Sequence, residues 1–122
     1  MVNVRDLIWL AGYLEGEGSF TFNKRTPVLS LVTTDEDVAD RVASITSWHT
    51  SGPYLYPKTN RKPFWRVQLA GAQAVGWMMT LYGFMGTRRR GQIRYVIEQW
   101  KILGTTPSSL TRNRNGFRIG GL

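Results

Sequence analysis

Leu10-Ala11-Gly12-Tyr13-Leu14-Glu15-Gly16-Glu17-Gly18, followed at once by Ser19-Phe20-Thr21-Phe22, is the stretch on which the fold turns. Leu7, Leu10, Ala11 and Leu14 recur at three- and four-residue spacing, which marks one apolar helical face. Gly12 and Gly16 lie four apart and form a second face with almost no side-chain bulk. Each glycine inside a helix costs roughly 1 kcal/mol relative to alanine. Glu15 and Glu17 sit near the helix C-terminus, where the macrodipole disfavours negative charge. A helix that breaks local rules this often does so for function. The glycine face admits another backbone at close range, and the carboxylate at a disfavoured helix end points to a cation brought there. Gly18 is expected to stop the helix in the left-handed conformation.

Outward from this stretch, the spacing predicts a helix over 4–16 with Asn3 as its N-cap. Residues 19–24 alternate, with Ser19, Thr21 and Asn23 on one face and Phe20 and Phe22 on the other. Arg25-Thr26-Pro27 is expected to turn the chain into a returning strand over 28–33, where Leu29 and Leu31 join the core opposite Ser30. Thr34 or Asp35 caps a second helix ending near Ser47, and Asp35, Glu36 and Asp37 compensate its dipole rather than bind metal. A third strand is expected over 52–58, with Tyr54, Tyr56 and Lys58 on one face. After the basic turn 59–63, a fourth strand runs over 64–69, with Trp65, Val67 and Leu69 alternating against Arg66 and Gln68. A third helix covers 71–82, a loop 83–87, and a fourth helix 88–103. From Gly104 the composition predicts a weakly structured basic tail, so residues 1–104 form the single domain and 105–122 an appendage. His49, at a helix end or in a loop, reads as structural.

The chain has 122 residues, enough for one domain. Sixteen Lys and Arg against eight Asp and Glu give a net charge of +8, which points to a polyanion, most commonly nucleic acid. Absence of cysteine excludes disulfides and thiolate metal sites. The sequence shows no apolar run near the length of a membrane span and no signal peptide, which predicts a cytoplasmic protein without a membrane partner.

The nonapeptide resembles the LAGLIDADG motif of homing endonucleases, with Tyr13, Leu14, Glu15, Gly16 and Glu17 at its variable and acid-bearing positions. The element order αββαββα(α) is similar to the single-motif core of that family, over roughly residues 4–103. The resemblance implies an α+β fold with an antiparallel, saddle-shaped sheet, and helices that pair on a two-fold axis through Trp9, Gly12, Tyr13 and Gly16. It implies Mg²⁺ (or Mn²⁺) at Glu17, with Gly16 beside it. A single motif then implies a homodimer, since two acids must meet at one place. Residues two apart on a helix point about 200° from each other, so Glu15 and Glu17 do not serve one bond, and Glu15 reads as structural.

By position the family carries a polar group at the end of the second strand, here Thr34, and a basic residue before the last core helix, here Arg88 or Arg90. Many members have glutamine at the first place, and no lysine stands in Gly86-Thr87-Arg88-Arg89-Arg90. Arginine stabilises phosphate charge but is effectively never a proton donor. A two-stranded ribbon fits the major groove, where each base pair shows a distinct hydrogen-bond pattern. Ser19, Thr21, Asn23, Arg25, Ser30, Tyr54, Tyr56, Lys58, Arg66 and Gln68 are the expected readers. Lys24, Arg61, Lys62, Arg89 and the tail residues Arg112, Arg114 and Arg118 suit phosphates. The resulting expectation is a divalent-metal-dependent, site-specific double-stranded DNA endonuclease, homodimeric on a pseudo-palindrome, of nucleoid, organellar or phage setting. The alternatives are a cleavage-deficient DNA- or RNA-binding protein of the same fold, acting as a transcription regulator or splicing cofactor, and a purely structural domain with salt-insensitive DNA affinity.

Overall fold

The computed structural model describes residues 2–105, and the expected tail with Arg112, Arg114 and Arg118 lies outside them. Helix α1 spans Val4–Glu17 and is started by Asn3, whose Oδ1 accepts from the Asp6 N–H at 2.8 Å. Gly18 is not left-handed: its φ of −80° and ψ of 164° carry the chain straight into strand β1, Gly18–Asn23. Glycine is required there by proximity, because a Cβ would lie 2.7 Å from the Leu14 carbonyl oxygen. The following turn is tighter than expected. Lys24 (φ 50°) and Arg25 (φ 70°) make it alone, and strand β2, Thr26–Thr33, already includes Thr26 and Pro27. Positive φ at both central residues suits the right-handed twist of a two-residue hairpin.

Helix α2, Glu36–Thr46, ends on Ser47 in the left-handed conformation (φ 63°). Asp35 holds the cap position without a side-chain bond; instead its N–H donates to Thr33 Oγ1 at 3.0 Å. Strand β3 is His49–Tyr54, three residues earlier than the alternation of Tyr54, Tyr56 and Lys58 predicts. Gly52 (φ 125°) and Pro53 interrupt its pairing with a bulge, and Tyr56 and Lys58 fall in the loop beyond. Strand β4 is Phe64–Ala70, helix α3 is Ala72–Leu81, a short 3₁₀ turn covers Tyr82–Phe84, and helix α4 is Thr87–Thr105.

The four strands form one antiparallel sheet in the order β1-β2-β4-β3. All four helices contribute to a core against one face: Leu10 and Leu14, Val42, Met78, and Ile93 and Val96, packed with Phe20, Leu29, Leu31 and Val67. Complete burial of one leucine is worth roughly 1.5–3 kcal/mol, so Leu10 and Leu14, both 0% exposed, fix the rotation of α1 about its axis. The fold is therefore α+β in two layers, and no described element covers the second sheet face. Among the described residues, no helix is long and apolar enough to cross a membrane.

Candidate nucleic-acid interface

The strand register builds the open face row by row. Ser19 pairs with Ser30, Ser30 with Gln68, and Gln68 with His49, so one polar row crosses the whole sheet. The next row joins Val32, Arg66 and Ser51. Thr21 and Asn23 continue this face along β1, and Arg25 with Lys24 forms the exposed tip of the β1–β2 hairpin. Of the expected readers, the sheet brings Ser19, Thr21, Asn23, Ser30, Arg66 and Gln68 onto one surface by the alternation of the pleat. Arg25 stands at its end, and Lys58, Arg61 and Lys62 are exposed on the 55–63 loop.

Sequence reasoning missed His49 and Ser51 because β3 was placed too late. The usable signal was His49 and Ser51 flanking the inward Thr50, hidden by the Gly52-Pro53 break. The far end of the face is aromatic. Phe64 meets both Tyr56 and Tyr54 in tilted contacts, with centroids 4.8 and 5.3 Å away; Arg61 lies 4.8 Å over Tyr56 and Arg66 5.7 Å over Tyr54.

The end of α1 holds two glutamates with different surroundings. Glu15 Oε1 accepts the Gly86 N–H at 2.7 Å, just ahead of α4, where the helix dipole favours an anion. Glu17, the last residue of α1, is exposed. Helical geometry thus sets the pair apart, with Glu15 bonded to the start of α4 and Glu17 outward.

Arg89 requires a correction. It is only 7% exposed, and its Nε donates to the Glu15 carbonyl at 2.9 Å while Nη1 donates to Gln92 Oε1 at 3.0 Å. It closes the C-terminus of α1 instead of facing outward toward a phosphate, because that helix end leaves carbonyls without intrahelical donors. Burial, and then the neighbouring Arg88 charge, lower its pKa, while Glu15 and Glu17 oppose the shift. Arg90 is also turned inward, donating to the Tyr82 and Gly83 carbonyls at 3.2 and 3.3 Å. Arg88 is the exposed member of the run, beside Phe20, Thr21, Phe22, Gln92 and Tyr95. Thr34 is exposed just past β2, at the sheet end where β1 leaves α1, whereas Thr33 is buried and meets the Tyr13 hydroxyl at 3.3 Å.

The four residues expected at a helix–helix contact divide similarly. Tyr13 and Trp9 pack against the core, their rings 5.6 Å apart, and Arg41 covers Trp9 at 3.9 Å. Gly12 and Gly16 are exposed, and a Cβ on either would meet none of the described residues within 4 Å. They continue a four-residue row that begins with Val4 and Ile8, 68% and 54% exposed. The open face of α1 is therefore Val4, Ile8, Gly12 and Gly16, not the ring pair.

Among the described residues no group of three or more His, Cys, Asp or Glu is gathered to hold a metal. With Glu15 engaged at Gly86, one outward carboxylate per chain remains at this helix end, Glu17. Mg²⁺ needs only one or two protein carboxylates, because it keeps waters and takes phosphate oxygens. A single Glu17 at the negative end of a helix dipole fits such an ion when a second copy supplies another.

No family model matches this chain, and neither does any curated protein sequence. Solved structures do. The homing endonuclease I-CvuI, in complex with the I-CreI target in the presence of Mg with the DNA not cleaved, is similar at a TM-score of 0.62. It is 16% identical, over 84% of this chain and 72% of that one. The archaeal intron-encoded homing endonuclease I-Vdi141I, complexed with DNA, is similar at a TM-score of 0.53 and 12% identity, over 93% of this chain and 87% of that one. The fold is that of these endonucleases.

Proposed function

We propose that this chain is a LAGLIDADG homing endonuclease, a divalent-metal-dependent enzyme that cuts double-stranded DNA as a homodimer on a pseudo-palindromic site. The observation that carries the reading is the coincidence, in one helix, of an open Gly12/Gly16 face and an exposed terminal Glu17. That helix feeds directly into the polar sheet face.

Two copies related by a two-fold axis would press their α1 faces together and bring both Glu17 carboxylates to one place. Those carboxylates would hold Mg²⁺, which supplies charge neutralisation at the scissile phosphate and a more acidic bound water. The chain's own residues do the rest. Glu15 and Arg89 tie the end of α1 to the start of α4, so Glu17 projects from a fixed backbone. Arg88 offers a guanidinium to the phosphate charge and does not donate the proton to the leaving oxygen. The polar rows position the duplex, and the net charge of +8 draws it in.

The test is metal-dependent cleavage of sites selected from random DNA, wild type against Glu17→Gln. Cutting by wild type in Mg²⁺ or Mn²⁺, lost in Glu17→Gln with binding retained, is the expected result. Tight binding without cutting by wild type on any selected site assigns the chain to the cleavage-deficient alternative.

A further inference from the structure

The tip of the β3–β4 hairpin carries three aromatic rings on the wrong side for a core. The core takes Trp65, Val67 and Leu69 from β4, and Phe64 lies on the opposite face, paired with Tyr54. Large apolar groups grouped on an open face need a reason. Here they form a continuous pile in the order Arg61, Tyr56, Phe64, Tyr54, Arg66, with neighbours 4.8 to 5.7 Å apart. A guanidinium stands over the tyrosine ring at each end of the series, so the rings offer a rest to two arginines.

The arginines differ in what their backbones fix. Arg61 sits in a loop, whereas Arg66 is in mid-strand, flanked across the sheet by Val32 and Ser51. Arg66 is half-buried and lies over the Tyr54 ring, and its guanidinium makes no hydrogen bond to another described residue. A guanidinium laid on an aromatic face is pre-oriented, and its planar fork matches two acceptors side by side. In the major groove that pair belongs to guanine, O6 with N7.

Resting on the DNA-binding reading above, we propose that Arg66 is a specificity-determining residue that reads one guanine in each half-site, and that Tyr54 is its positioning residue. Gln68, two residues along the same face, reads a different position and serves as the internal control.

The experiment is selection of bound duplexes from a random library by the full chain, followed by competition binding on the best site. Wild type and Tyr54→Phe are expected to select the same guanine. Arg66→Met loses that guanine while the other positions persist, because its side chain keeps the length but has no donor for O6 or N7. Tyr54→Leu weakens the preference several-fold without changing the preferred base. Replacing that guanine by 7-deazaguanine, which removes N7 and keeps O6 and the base pair, costs wild type several-fold in affinity, less than the roughly five- to 150-fold of the whole bidentate pair, and leaves Arg66→Met nearly unchanged. Gln68→Ala relaxes another position. Selection of the same guanine by Arg66→Met, or insensitivity of wild type to 7-deazaguanine at every selected guanine, overturns the assignment while the DNA reading stands. Enrichment of no sequence at all overturns both.

Discussion

Two regions of this molecule use the same side chain in opposite ways. At the junction of α1 and α4, Arg89 and Arg90 turn inward and donate to the carbonyls of Glu15, Tyr82 and Gly83. On the open sheet face and the loop at its end, Arg66 and Arg61 lie over tyrosine rings, as Arg90 does over Tyr82, but their guanidinium groups make no hydrogen bond to another described residue. Helix ends expose carbonyls that lack donors, and a nearby guanidinium satisfies them. A sheet face has its backbone groups paired already, so it offers the arginine only rings. The junction therefore consumes hydrogen-bonding capacity to hold the fold, and the open face keeps that capacity for a ligand. The α1 surface shows the same division: Trp9 and Tyr13 close inward, Gly12 and Gly16 stay open.

The largest expected effect breaks the closed side. Arg89→Met leaves the Glu15 carbonyl without its donor in a part-buried setting, and loss of a partner there costs about 2 kcal/mol of stability. Urea unfolding should record that loss, whereas Arg66→Ala should shift stability by less than about 0.5 kcal/mol. Equal destabilisation by the two would erase the distinction between the regions.

A second substitution sharpens the open side. Gly12→Ala adds a Cβ where no described residue lies within 4 Å, so the isolated chain gains about 1 kcal/mol from helix propensity. The same methyl separates two helices that must approach through this row. Denaturation at a dilution where the protein is monomeric should show the gain, and sedimentation on and off DNA should show weakened pairing. Unchanged pairing would place the contact between copies elsewhere than this face of α1.

Part of this division was legible in the sequence. The 3.6-residue period set the buried face of α1, and the glycines at four-residue spacing marked its open side. Alternation set the outward Ser19, Thr21, Asn23, Ser30, Arg66 and Gln68. Direction within Arg88-Arg89-Arg90 was not legible, because successive helical residues rotate by about 100° and only packing decides which one is buried. Carbonyl orphans on another helix decided it here, and no local pattern records them. Nor was the start of β3 legible, since Gly52-Pro53 interrupts the strand and made the tyrosines beyond it look like the strand itself. Gly18 was recognised as a special position for the wrong reason: the Leu14 backbone, not a left-handed turn, demands it.

The smallest effect separates the two stacked arginines from each other. Arg61 stands on the 55–63 loop with Lys58 and Lys62 nearby in sequence, and a loop fixes no register against base edges. It suits a phosphate, and a phosphate contact carries no sequence information. Arg61→Ala should therefore lower affinity to a similar extent on every site and reduce the slope of log affinity against log salt by about 1. The selected sequence should not change. Titrations of one site over a range of salt, with a repeat of the selection, measure both. If Arg61→Ala relaxes a base position while the salt slope holds, the loop arginine reads sequence too, and the pile at the hairpin tip has two reading ends instead of one.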